Sequence, residues 1–425
     1  MATMSEKSII LNEIQLAALD AIENTNNNLL ILGCAGTGKS TFVQYLKSTS
    51  AKKIICVCPT AVSALNVGGA TVHSLFQIMP RDFIFPEFLK LKAKPRNVLG
   101  GADLMIIDEI SMVSPDLLDA MDILARQARK SERPFGGLQI LAIGDMFQLP
   151  PVIVPAAEPY YEAEYGHKCA YFFDSHVYSR AKFARMAFDF VYRQHDEALL
   201  GRLNDMRKGN PNLDFFNELK IEDEERRKNA VIITPFRAVA ENINNARLRG
   251  IDAPEVQYNG KIEGNFAGRD LPAPEKLVLK VGALVVFTKN DSGKRRWHNG
   301  SMGIVRELGN LIKVELLAAD REIVEVRPEK WESVEYSRDA ENRLIENEAG
   351  SYTQFPLMLG YAMTIHKAQG KTLDAVIIDM SRGAFAHGQT YVALSRTRKS
   401  SDMHVASPLR PRDVIFDQRI IDFCQ

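Results

Sequence analysis

Four apolar runs early in the chain each stop at a polar or glycine-rich stretch. They are LLIL (29–32), KKIICVCPT (52–60), ADLMIIDEI (102–110) and LQILAIGD (138–145). Runs that are continuously apolar, rather than alternating, predict strands buried on both faces, as in a parallel sheet covered by helices. Helical spacing lies between them. In EIQLAALDAIEN (13–24), Ile14, Ala17, Ala18, Leu19 and Ile22 recur near helical intervals, and another helix is predicted from about Ser40 to Lys47. Polar residues gather where these strands end, which is where such sheets bind ligands.

The pattern restarts after about residue 185. AVIITPF (230–236) ends in Thr-Pro and echoes CVCPT (56–60), which ends in Pro-Thr; DAVIIDM (374–380) is another buried run. A helix-like stretch around TYVALSRTRK (390–399) follows it. Between them, over 252–357, come many turn residues and short alternating runs: LVLKVGALVVFTKN, GSMGIVREL, LIKVELL and REIVEV. Period-2 runs separated by turns predict a small β-barrel. The expected organisation is therefore a first α/β domain over 1–185 with a short insertion at about 79–98, a second α/β domain over 186–251 and 358–425, and a β-barrel over 252–357 inserted in the second.

The first strand runs into Gly33-Cys-Ala-Gly-Thr-Gly-Lys39-Ser40, a full match to G-x-x-x-x-G-K-[ST]. Gly36, Thr37 and Gly38 let main-chain N–H groups turn onto phosphate oxygens, and Lys39 reaches the outer phosphates. The Ser40 hydroxyl suits Mg²⁺, and Thr41 opens the helix whose positive end faces the anion. ATP and Mg²⁺ are the cofactors this implies. Asp108-Glu109, at the end of a buried run, suits the partner role: Asp108 toward the metal, Glu109 toward the attacking water. Two carboxylates after a strand also open ordinary solvated helices. GDMFQLPPV (144–152) offers Gln148 as a sensor of the γ-phosphate, while VYRQ (191–194) and YVALSRTR (391–398) offer Arg193 and Arg396. An arginine brought from a second domain stabilises charge on a transferred phosphoryl group.

Two stretches point to a polymer. PTAVSALNVGGATVHSLF (59–76) carries Pro59, Thr60, Asn66, His73 and Ser74 beside a sheet edge, and TIHKAQGKTLD (364–374) carries Thr364, His366 and Lys367. Thr234 ends the strand that echoes Pro59-Thr60. Hydroxyl, amide and basic side chains of this kind hold phosphate and sugar without reading sequence.

Composition narrows the classes. Lys+Arg and Asp+Glu are both 53, so the formal net charge is zero, which argues against a histone-like binder but leaves room for a local basic channel. The five cysteines (34, 56, 58, 169, 424) form no C-x-x-C pair and read as free thiols, with Cys56 and Cys58 on one strand face. No apolar run reaches the ~18–20 residues of a membrane span. MATMSEKSIILNEIQ has neither the basic start nor the long apolar core of a secretory signal, so a cytoplasmic location is expected.

Taken in order, GCAGTGKS, CPTAVSALNVGGATVHSLF, LMIIDEISMV, GDMFQLPPV, VYRQ, TIHKAQGKTLD and YVALSRTR resemble the motifs of superfamily 1 DNA helicases, above all the PIF helicases, a 5′→3′ branch related to RecD/Dda-like enzymes. SMVSPDLLDAMDILARQARKSERPFGG (111–137) resembles that family's signature stretch. The resemblance covers most of 10–150, then 186–250 and 358–410. It implies two RecA-like P-loop domains with ATP in the cleft between them. It makes Gln15 the adenine-reading glutamine, and Lys39, Ser40, Asp108, Glu109, Gln148, Arg193, Gly370 and Arg396 the ATP-pocket positions. Thr60, His73, Thr364, His366 and Lys367 become single-strand contacts, and the 79–98 insertion a wedge. The partners it implies are single-stranded, tailed or forked DNA and G-quadruplexes, engaged by a monomer. Two rival readings differ in what DNA does: a P-loop kinase or switch-type NTPase ignores it, and a translocase consumes ATP on it without unwinding.

Overall fold

The computed structural model describes residues 10–192, 196–266, 271–291, 293, 296–317, 321–339, 341 and 343–425. The chain forms two compact units. One comprises Met1–Met146, Pro150–Tyr192 and Ser333–Ala349; the other comprises Phe147–Leu149, Arg193–Glu332 and Gly350–Gln425.

The first unit is built on β1 (Leu29–Gly33), β2 (Ile54–Cys58), β3 (Ala70–Thr71), β4 (Leu104–Asp108), β5 (Gln139–Gly144) and β6 (Ala184–Phe188). They form one sheet in the order β3-β2-β4-β5-β1-β6, and every pairing is parallel. The α/β architecture with parallel sheets is the one the apolar runs predict. Alternate residues of the central strands, Leu29, Ile31, Cys56, Cys58, Leu104, Ile106, Leu141 and Ile143, build one core face. Against it pack Ala18 and Ile22 of α1 (Glu13–Asn24) and Phe42, Val43 and Leu46 of α2 (Lys39–Thr49). Each of the larger aliphatic and aromatic side chains contributes roughly 1.5–3 kcal/mol on burial. Cys56 and Cys58 share that face, and all five cysteines are thiols outside any disulfide.

The sixth strand carries the sheet past residue 185, where the first domain was expected to end. Ala184–Phe188 pairs with β1 from Leu29↔Ala184 to Gly33↔Phe188. ARMAF is an edge strand, exposed over most of its length, so it lacks the continuous apolar signature of its neighbours.

The remaining helices of this unit are α3 (Ala61–Val67), α4 (Val72–Phe76), α5 (Ala93–Gly101), α6 (Pro115–Arg129), α7 (Glu158–Tyr165) and α8 (His176–Ala181). Buried α6 carries three aspartates at three-residue spacing, which puts them along one side of a helix. Each is a hub. Asp116 accepts from the Ile84 N–H (2.7 Å) and the Tyr161 hydroxyl (2.9 Å). Asp119 accepts from the Val177 and His176 N–H groups and from the Tyr165 hydroxyl. Asp122 accepts from the Phe135 N–H, Arg126 and Arg180. Asp116 thus ties down the 79–98 insertion, a 3₁₀ turn (Pro86–Phe88) leading to the start of α5. Phe83 anchors this insertion among Tyr160, Tyr161 and Tyr165, while Met79, Phe85 and Phe88 stay exposed.

In the second unit, β7 (Val231–Thr234) precedes the inserted strands. These are β8 (Val256–Asn259), β9 (Lys261–Gly264), β10 (Lys276–Leu279), β11 (Leu284–Phe287), β12 (Met302–Glu307), β13 (Ile312–Leu316), β14 (Ile323–Val326), β15 (Glu329–Arg338), β16 (Leu344–Gln354) and β17 (Leu357–Leu359). The orders are β14-β13-β12-β11-β17, β10-β8 and β15-β16-β9. Leu277, Val285, Phe287, Trp297, Val305, Val314 and Leu357 are among the residues of one apolar core shared by the first two of these sheets. After the insertion the chain returns to β18 (Ala362–Thr364), β19 (Val376–Ile378) and β20 (Met403–Val405), which join β7 in the parallel order β18-β7-β19-β20.

Ser333–Ala349, expected within the inserted barrel, clusters with the first unit. Tyr336 is fully buried there, and its hydroxyl accepts from the Cys56 N–H at 3.0 Å. Glu335 pairs with Lys94 and Glu346 with Lys47. No helix among the described residues is long and apolar enough to cross a membrane.

Candidate functional site

The glycine-rich loop lies between β1 and α2. Gly36 and Gly38 have φ of 87° and 81°, the left-handed region that a side chain resists, and Gly38 is the residue immediately before α2. Thr37 is buried, with its hydroxyl on the Cys34 carbonyl at 2.9 Å. The Lys39 ammonium donates to the carbonyls of Gly33 (2.7 Å) and Cys34 (2.9 Å), which leaves its third N–H for a phosphate oxygen. Ser40 and Thr41 are exposed in the first turn of α2.

Gln15 sits beside this loop. Its Oε1 accepts from the Asn12 N–H while its own N–H donates to Asn12 Oδ1, a reciprocal cap that fixes the start of α1. Its Nε2 is near Gly38: a β-carbon placed there would approach it to 3.2 Å. Tyr192, which sequence reasoning passed over, completes the loop's surroundings. Its N–H donates to the Gly36 carbonyl (2.8 Å), its hydroxyl accepts from Asn12 (3.1 Å), and its ring faces Gly38. Its signal in the sequence is faint, a lone tyrosine beside a charged residue. Arg193 itself lies outside the described residues.

Asp108 ends β4 almost fully buried and accepts from the Glu109 N–H at 2.9 Å. Burial pushes its carboxyl above the ordinary range, while that N–H and the Lys39 charge pull the other way. Glu109 holds φ 54° and ψ 46°, a left-handed conformation costing a non-glycine residue on the order of 1 kcal/mol or more. No cluster of three His, Cys, Asp or Glu suited to a metal occurs among the described residues. One hydroxyl and one carboxylate beside a phosphate loop fit Mg²⁺, which keeps several waters and needs few protein oxygens.

The first polymer stretch folds at the sheet edge. β2 ends at Cys58, opposite Thr71 of β3. Pro59 leads to Thr60, the N-cap of α3, whose hydroxyl oxygen accepts from the Ser63 N–H. Asn66 lies in the last turn of α3, and its carbonyl accepts from Gln44. His73 and Ser74 lie on α4, capped by Thr71. Burial pushes the His73 imidazole below its usual range, with the Asp116 carboxylate opposing.

In the second unit the sheet register sets Thr364 opposite Thr234. Thr364 then caps the short helix Ile365–Ala368, which carries His366 and Lys367. Gly370 follows in a left-handed conformation with open space around it. Gln148 belongs to this unit and accepts from the Gln369 amide at 3.2 Å. Arg396 is buried, and its guanidinium donates to the carbonyls of Val392 (2.6 Å), Ala368 (3.2 Å) and Lys371 (3.3 Å) and to the Ser395 hydroxyl (2.6 Å). The expected helix around residue 390 spans Gln389–Leu394 and stops before Arg396.

The family described as PIF1-like helicase matches residues 5–179. The ATP-dependent DNA helicase Pif1 of Bdellovibrio bacteriovorus is 32% identical over 99% of this chain and 93% of its own length. The crystal structure of Bacteroides sp. Pif1 in complex with ADP-AlF4 superposes with a TM-score of 0.88 at 34% identity, covering 98% of this chain and 96% of that one. Bacteroides Pif1 bound to single-stranded DNA superposes at 0.69, with 35% identity and the same coverage. With a relative more than 30% identical along nearly its whole length, and the phosphate loop and terminal carboxylates in place, the chain belongs to the PIF1-like helicase family.

Proposed function

We propose that this protein is an ATP-dependent DNA helicase that translocates 5′→3′ on single-stranded DNA and unwinds tailed, forked or G-quadruplex DNA as a monomer. The observation that carries the reading is the joint presence of the Lys39 loop, Asp108-Glu109 and two polar stretches at the carboxyl ends of two parallel sheets. ATP lies on the loop, with Lys39 on its outer phosphates and Gln15 at its base. Ser40 and Asp108 hold the magnesium ion, which neutralises phosphate charge when bound. Glu109 orients the attacking water. Arg193 and Arg396 supply the guanidinium groups that stabilise charge on the γ-phosphate, and Gln148 reports on it. For Arg396 this means exchanging the Ser395 hydroxyl for a phosphate oxygen at its Nη2. Thr60, Asn66, His73 and Ser74 grip the strand on one unit, and Thr234, Thr364, His366 and Lys367 on the other. Translocation requires that the nucleotide states differ in their affinity for DNA.

The test follows ATP hydrolysis and strand separation together on 5′-tailed and 3′-tailed duplexes, with wild type and Lys39→Ala. Expected are hydrolysis stimulated by single strands, unwinding of the 5′-tailed duplex alone, and loss of about 10²-fold or more of the hydrolysis in the variant. Hydrolysis indifferent to DNA would identify a switch-type NTPase instead. DNA-stimulated hydrolysis without strand separation would identify a translocase.

A further inference from the structure

The loop 368–374 of the second unit is held from two sides. On one side Arg396 donates to Ala368 and Lys371, the Leu373 N–H donates to the Arg396 carbonyl (3.0 Å), and Gln369 bonds Gln148. On the other side stands the turn His298–Met302 of the inserted strands. Lys371 Nζ donates to Asn299 Oδ1 at 2.9 Å, the Met302 N–H donates to Asp374 Oδ2 at 3.3 Å, and His298 Nε2 lies 3.9 Å from Asp374 Oδ1. Gly300, at φ 105°, lies so close that a β-carbon would collide with the Thr372 carbonyl oxygen. The turn is itself pinned, since the Asn299 N–H donates to Asn290 Oδ1 at 2.7 Å.

Lys371 is the unusual member. It is 7% exposed, and its hydrogen-bond partner is a neutral amide. Burial, with Lys367 nearby, pulls its pKa down to about 8. An amine buried against a neutral acceptor costs stability that a methionine of similar length would not.

We propose that the Asn299–Lys371 pair seats the inserted turn on the 368–374 loop and positions that loop for DNA-dependent ATP hydrolysis. The loop follows the Thr364–Lys367 turn proposed to grip DNA and carries the carbonyls that hold Arg396, so its placement relates the strand to the arginine. Asn299 and Lys371 are positioning residues, and their role rests on the function proposed above.

The experiment uses the full chain with Lys371→Met, Asn299→Ala and Asn299→Asp. ATP hydrolysis is measured with and without saturating oligo-dT, beside thermal melting. Expected in Lys371→Met and Asn299→Ala is a fall of about tenfold or more in DNA-stimulated kcat. The DNA-free rate and the KM for ATP should stay within about twofold of wild type. Asn299→Asp keeps the acceptor and restores stimulation. The proposal is overturned if the first two variants keep DNA-stimulated kcat within about twofold, if DNA-free and stimulated rates fall together, or if Asn299→Asp behaves as Asn299→Ala. Should Asn299→Ala not fold, Lys371→Met decides by the same criteria. A wild-type enzyme that DNA does not stimulate refutes the function itself, a separate result.

Discussion

Tyr192 donates its main-chain N–H to the carbonyl of Gly36 at 2.8 Å, which fixes an aromatic ring against the phosphate loop beside Gly38 and Gln15. Tyr192 is 42% exposed, with Phe190 packed edge-on at 4.7 Å, so part of its surface remains accessible to a planar partner. Tyr192→Ala is expected to raise the KM for ATP about threefold to tenfold, the worth of an aromatic stacking contact, with kcat little changed. Tyr192→Phe loses the bond from Asn12 and keeps the ring, so its KM stays near wild type. Steady-state kinetics at saturating DNA decide this.

Asp108 carries a carboxyl that burial raises above its unfolded value. Its contribution to stability is therefore fully present below the unfolded pKa and is lost as pH rises through the folded one. Above that folded value the buried carboxylate weakens the fold. Asp108→Asn keeps an oxygen for the Glu109 N–H and removes the charge, so it should melt above wild type at pH 7. The gap should narrow as pH falls toward 4, while Mg²⁺-dependent hydrolysis is lost. Melting temperatures measured across that range, together with hydrolysis at pH 7, provide the check.

Asp116→Ala strips the partners from the Ile84 N–H and the Tyr161 hydroxyl, at roughly 1–3 kcal/mol for each buried group left unpaired. Hydrogen exchange should rise first over residues 79–91, because the Ile84 N–H ties that insertion to the buried Asp116 of α6. Uniformly faster exchange over the whole first unit would contradict this local role. Unwinding of tailed duplex should fall further than hydrolysis if the insertion is the wedge.

Tyr336→Phe leaves the Cys56 N–H without the hydroxyl that accepts from it. The expected loss is about 1–3 kcal/mol of stability, read from urea unfolding with an unchanged slope. Little packing changes, so a much larger loss would mean that the 333–349 segment detaches as a whole.

What could be read from the chain was whatever depends on local backbone and periodicity. The left-handed turns at Gly36 and Gly38, the lysine after them and the apolar runs of β1, β2, β4 and β5 are written in consecutive residues. Order along the chain was enough to suggest the family. β6 was harder, because an exposed edge strand carries no continuous apolar run. The aspartates of α6 carry no local signal of their burial, since their donors include residues 84, 135, 161, 165, 176 and 177.

Sequence by itself determined the nucleotide loop, the α/β class and the family, because each rests on residues adjacent in the chain or repeated at a short period. Tertiary structure alone decided which distant residues meet. It set Tyr192 over the loop, Thr234 opposite Thr364, Tyr336 on the edge of β2, and Asn299 on Lys371. Such pairs come from sheet register and the closing of long insertions. Hydrogen bonds formed across 72 to 280 positions leave no periodic trace in the sequence.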